Sequence, residues 1–149
     1  MIDVVVIVAA YGAILSSIVF FYQLKENIRR MKVNLSAGVT NALPQEEASI
    51  LILSGVNLGK RSISLSAYAL ELSNKEGIYF VNRSPDIFPI ILNDGESVSV
   101  WAPIKGVASF LHEKGYDGEI KLIGYFKDVS DKKYYSKKLK FPIDEWIDG

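Results

Sequence analysis

Residues 4–30 read VVVIVAAYGAILSSIVFFYQLKENIRR. From Val4 to Tyr22 the run holds neither charge nor proline. At about 1.5 Å per helical residue it reaches roughly 28 Å, close to the hydrocarbon thickness of a bilayer. A helix apolar all round needs lipid or protein on every side, and the roughly 120 residues that follow are too few to wrap it. The stretch therefore predicts a single transmembrane helix.

Sidedness follows from the charges that flank the run. A cleaved signal peptide carries positive charge before its apolar segment and a small-residue cleavage site after it. Here the order is reversed: Asp3 precedes the run, while Lys25, Arg29, Arg30 and Lys32 follow it against one acid, Glu26. The positive-inside rule holds such a cluster in the cytoplasm. The expected topology is single-pass, with the N-terminus outside and the C-terminal domain cytoplasmic. The lack of cysteine fits a reducing compartment.

Within the run, Ala9, Ala13 and Ser17 recur every four residues, with Gly12 and Ser16 beside them. Small residues at that spacing let helix backbones approach closely enough for van der Waals contact and interhelical hydrogen bonds. The face is a candidate for homo-oligomerisation, although alanine, glycine and serine are also ordinary residues of membrane helices.

After Lys32 the period changes from helical to alternating. Short runs rich in Val, Ile, Leu, Tyr and Ser predict strands at 32–40, 48–57, 62–72, 78–81, 88–92, 97–101, 119–127 and 134–141. Between them stand LPQEE, NLGKR, SNKEG, NRSPD, NDGE and DVSDKK, each with the Gly, Pro, Asn or Asp that turns require. Ile50 to Leu53 are apolar on both faces, which predicts a central strand. Ile63, Leu65, Ala67 and Ala69 alternate with Ser62, Ser64, Ser66 and Tyr68, a half-buried pattern. Ile120, Leu122 and Phe126 share a face on which Gly124 leaves room. One segment, PIKGVASFLHEKG at 103–115, predicts a short helix from the spacing of Ile104, Val107, Ala108 and Leu111 and from its terminal proline and glycine.

The organisation expected is a transmembrane helix with a juxtamembrane basic segment at 1–31, an all-β antiparallel sandwich at 32–143 and a C-terminal tail at 144–149. A strand, a short helical crossover and then YDGEIKLIGYFKD resemble the approach to the penultimate strand of immunoglobulin-like and fibronectin-like sandwiches. The resemblance implies that fold and marks Tyr116 as the corner tyrosine that bonds back to the backbone in such domains. It departs from true immunoglobulin domains in having no cysteine pair. One span followed by such a domain also resembles small uncharacterised membrane proteins of bacteria and their mobile elements, a likeness that implies no function.

Catalytic signals are weak. No phosphate-binding GxxxxGK[ST] loop occurs. His112 is the one histidine, and it falls on the polar part of the predicted helix. The carboxylate pairs Glu46–Glu47 and Asp144–Glu145 flank prolines and read as solvated turns and tails. With 17 basic and 17 acidic residues no global field steers the chain toward nucleic acid.

Two surfaces remain. Lys132, Lys133, Lys137, Lys138 and Lys140 interleave with Tyr134 and Tyr135, as in a surface for anionic lipid or another anionic ligand. Lysine on an edge strand also protects a sheet against edge-to-edge pairing, and that is the favoured account. The segment IYFVNRSPDIFPIIL at 78–92 is too apolar for an exposed loop; it is expected to complete the core as an edge strand, or else to offer a docking patch. The expectation is a non-enzymatic, membrane-anchored binding or adaptor module, without cofactor or metal. Its expected partners are the lipid bilayer, a second copy through the helix, and an unidentified protein or anionic ligand; no specific nucleic acid is expected. The alternative is a ligand-sensing membrane effector that oligomerises through its helix.

Overall fold

The computed structural model describes residues 3–40, 48–72, 74, 77–78 and 88–148. Helix α1, Val4–Glu26, buries none of its residues. It is long and apolar enough to cross a bilayer by length and composition. Residues 27–30 then lead into β1, Met31–Thr40.

The body is built from antiparallel sheets and short helices. β1, β2 (Ala48–Asn57) and β6 (Ser97–Pro103) form one sheet in the order β1-β2-β6. β3 (Ile63–Leu72), β4 (Gly77–Ile78), β7 (Glu119–Asp128) and β8 (Lys133–Tyr135) form the other in the order β4-β3-β7-β8. β5 (Ile90–Leu92) also pairs with β3, and β9 (Leu139–Pro142) with β7. β2 is central in its sheet, as its two apolar faces required, and Ile50, Leu51 and Leu53 are buried.

One core cluster draws on both sheets, with Leu35, Leu53 and Val100 from the first and Leu65, Leu70, Leu122 and Phe126 from the second. Each fully buried leucine or phenylalanine contributes about 1.5–3 kcal/mol relative to exposure. The sheets approach closely at Gly124. A Cβ there would run into Leu53 Cδ1 and lie 3.5 Å from Leu35 Cδ1, so only glycine admits the neighbouring leucines unshifted.

β3 departs from simple alternation. Its register against β7 shifts between Leu65 and Ala67, with Ser66 as the extra residue. The Ser66 hydroxyl donates to the carbonyls of Lys127 (3.2 Å) and Asp128 (3.1 Å). Because strand side chains alternate with period two, one extra residue moves the core face to the other set. Ile63 and Leu65 therefore join the core before the bulge, and Tyr68, Leu70 and Leu72 join it after.

The expected crossover helix is α2, Ile104–Glu113, which buries Ile104, Ala108 and Leu111. It closes with Gly115 N–H donating to the His112 carbonyl (2.9 Å) and Tyr116 N–H to that of Leu111 (3.1 Å). Two expectations need correction. The final strand, expected at 134–141, is split into β8 and β9, because Ser136 turns back onto Gly124 of β7 through a backbone bond of 2.8 Å and a side-chain bond of 2.9 Å. The expected tail contains a short helix, α3 (Ile143–Asp148). Ile143 is buried, and Trp146 and Ile147, three and four residues on, pack against the core, while Asp144 and Glu145 occupy the first turn. The strand expected at 78–81 lies mostly outside the described residues, as do Glu46, Glu47, Tyr79 and Phe80.

Candidate functional site at the helix–body junction

Because β1 follows α1 after only residues 27–30, the loops at 58–62, 93–96 and 129–132 lie at the end of the body where α1 enters. Asn57 organises the first two. It is fully buried, its Oδ1 accepts from Gly59 N–H (2.9 Å), and its Nδ2 donates to the carbonyls of Arg61 (2.8 Å) and Leu92 (3.0 Å). Both amide hydrogens and the side-chain oxygen are thus used, which makes burial of the amide tolerable.

Asp128 organises the third loop. It too is fully buried, and Oδ1 accepts from Ser130 N–H (2.8 Å), Ser130 Oγ (2.6 Å) and Lys132 N–H (3.0 Å). Oδ2 accepts from the Tyr134 hydroxyl (3.1 Å) and lies 3.7 Å from Arg29 Nη1. Burial pushes the Asp128 carboxyl up, but the donors of Ser130, Lys132 and Tyr134 outweigh it and hold the group below the usual carboxylate range. Burial, followed by the bond to Asp128 and its charge, pushes Tyr134 up to about 12.

These two hubs hold the segment leaving α1. Leu58 N–H donates to the Arg30 carbonyl (2.9 Å), Lys60 pairs with Glu26, and Arg29 reaches Asp128. A Cβ on Gly59 would stand 3.0 Å from the Ile28 carbonyl oxygen and 3.1 Å from Arg30 N, so glycine permits the close backbone approach. Beside this seam lies a cleft of about 240 Å³ bounded by Tyr22, Lys25, Ile28, Arg30, Leu58 and Lys60.

The basic cluster expected after the run therefore divides. Arg29 turns into the body, Lys25 and Arg30 line the cleft, and Lys32 is exposed on β1. Ala9, Gly12, Ala13, Ser16 and Ser17 are all exposed along α1, and the Ser17 hydroxyl donates to the Ala13 carbonyl (2.8 Å). The lysine-rich segment is also divided. Tyr134 points inward, with Lys132 Nζ 5.0 Å from its ring centre. Lys133 lies 4.3 Å from the Tyr125 ring centre and 3.9 Å from Glu71, and Lys140 lies 3.4 Å from Glu119. Lys137 and Lys138 are exposed between β8 and β9.

At the opposite end of the body, His112 Nδ1 lies 2.7 Å from Asp117, both side chains being more than half exposed. The Tyr116 hydroxyl accepts from Asn74 Nδ2 at 2.9 Å. Phe88 packs at 5.0 Å from Tyr68 and 6.3 Å from Phe126, ring centre to ring centre, so this part of the 78–92 segment joins the core. Among the described residues, no group of three or more His, Cys, Asp and Glu side chains is placed to hold a metal ion. In the sequence Asn57, Gly59 and Asp128 read only as turn residues of NLGKR and DVSDKK, although Asn-x-Gly and Asp-x-Ser at strand ends are patterns in which a side chain caps its own turn.

No protein-family model matches this chain, and no curated protein matches it. A solved structure titled "X-ray structure of Northeast Structural Genomics Consortium target SoR45" aligns with a TM-score of 0.34 at 9% identity, covering 78% of this chain and 88% of that one.

Proposed function

We propose that the chain is a single-pass membrane protein whose C-terminal body is a cytoplasmic, noncatalytic binding or adaptor module held close against the bilayer. The observation that carries this proposal is the pairing of an unburied, uncharged apolar run in α1 with a body stitched to the helix exit. A flexible tether would let the module range freely, whereas this seam fixes its distance from the membrane. The basic residues on the exit side support a cytoplasmic body. An immunoglobulin-like sandwich is supported by the grouping of the first, second and sixth strands in one sheet and the third, seventh and eighth in the other. The exposed setting of His112 supports a noncatalytic role.

The membrane assignment is tested by alkaline carbonate extraction of full-length chain from the cells that express it. Retention in the membrane pellet is expected, and release into the supernatant contradicts the proposal. The second reading, a ligand-sensing effector that assembles through its helices, is favoured by the uncovered face at Ala9, Gly12 and Ala13.

A further inference from the structure

We propose that the junction cleft is a binding site for the phosphate of an anionic phospholipid headgroup; this rests on the membrane reading above and assigns that membrane's chemistry. Lys25, Arg30 and Lys60 bring three positive charges to the cleft, and Glu26 is the one acid on its wall. Glu26 is committed to Lys60. The side chains of Lys25 and Arg30 make no ion pair among the described residues, so two cations face the same cleft without a counter-charge.

Depth agrees with charge. Lys25 is three residues beyond Tyr22, about 4.5 Å further along the helix axis, and the headgroup layer is roughly 5–7 Å deep on each side of the hydrocarbon. Ile28 and Leu58, 50% and 59% exposed, give the cleft an apolar flank beside its cations. Tyr22, 69% exposed, has the amphipathic ring favoured at such an interface. A phosphodiester offers acceptor oxygens to the Arg30 guanidinium and a charge to Lys25, which neutral headgroups with their own ammonium would partly satisfy internally.

The test uses full-length chain in bilayer nanodiscs of phosphatidylcholine mixed with phosphatidylglycerol, with bound lipid identified by native mass spectrometry. Wild type is expected to retain phosphatidylglycerol in excess of its share of the bilayer. Lys25→Gln and Arg30→Gln should each reduce that enrichment about fivefold, the effect of one basic residue near an anionic surface. The double variant Lys137→Gln/Lys138→Gln, which removes two exposed charges elsewhere, should leave it unchanged. Equal loss in that control would show diffuse attraction and overturn the site, as would unchanged enrichment in Lys25→Gln and Arg30→Gln. Displacement of the lipid by inorganic phosphate at matched concentration would reassign the cleft to a free anion and overturn the headgroup assignment. A chain that inserts without lipid preference contradicts the headgroup site alone, and a chain that does not insert contradicts the membrane reading as well.

Discussion

Arg29 Nη1 lies 3.7 Å from Asp128 Oδ2, linking the segment that leaves α1 to the last residue of β7. The partners are unequal: the carboxylate is fully buried and the guanidinium is 39% exposed. Removing the buried partner abandons four donors, whereas removing the exposed one leaves the carboxylate with those donors. Asp128→Ala is therefore expected to destabilise the full chain by about 3 kcal/mol, and Arg29→Gln by about 1 kcal/mol or less. Denaturant unfolding of the detergent-solubilised protein reads both. Equal losses would contradict this division.

The same cluster sets a pH dependence. Tyr134 is raised from 10.0 to about 12 in the fold. Below about pH 10 both folded and unfolded chains keep the proton, so the contribution is complete; between about 10 and 12 only the unfolded chain releases it, and on the order of 2–3 kcal/mol is lost. Asp128 is shifted downward, so its contribution is present above the unfolded value of about 4 and is lost as the pH falls through the folded one. In unfolding titrations the stability gap between wild type and Tyr134→Phe should narrow across the alkaline window. A constant gap would contradict the coupling.

Gly59→Ala should strain the seam, because its Cβ meets backbone atoms of residues 28 and 30 that cannot rotate away. A cost of about 1–3 kcal/mol is expected. Hydrogen exchange should show faster opening of the Leu58 amide, which donates to Arg30, while amides in the centre of β2 keep their protection. Uniform loss throughout β2 would mean that the junction is not a separable element.

Most strands and α2 were legible because their cause is periodic, as with Ile104, Ala108 and Leu111 in α2, whereas α1 and the central strand at Ile50–Leu53 showed as unbroken apolar runs. The face swap in β3 was hidden, since the serine at position 66 that causes it matches the alternation and only pairing with β7 exposes the extra residue. α3 was missed although Ile143, Trp146 and Ile147 carry helical spacing, because six residues give too short a pattern to stand apart from a tail. At the junction the basic cluster was visible but its division was not. Whether Arg29 or Arg30 turns inward depends on Asp128, nearly a hundred residues later in the chain.

Self-association of α1 is expected to run through the face bearing Ala9, Ala13 and Ser17. The Ser17 hydroxyl already serves the Ala13 carbonyl, so close packing at Ala13 matters more than a hydrogen bond from Ser17. Ala13→Ile should abolish a crosslinking ladder in native membranes, while Val19→Leu and Ser17→Ala should leave it largely intact. A ladder that survives Ala13→Ile would reduce the helix to an anchor and remove the support for an effector role.

The most direct test of the central claim is the location of Gly149 relative to the membrane. A reporter that fluoresces only in the cytoplasm, fused after Gly149 of the full chain, should give signal in a cell whose membrane fraction retains the fusion. A dark fusion, together with activity from an enzyme reporter that works only outside the cytoplasm, would contradict the topology on which the tethered module rests.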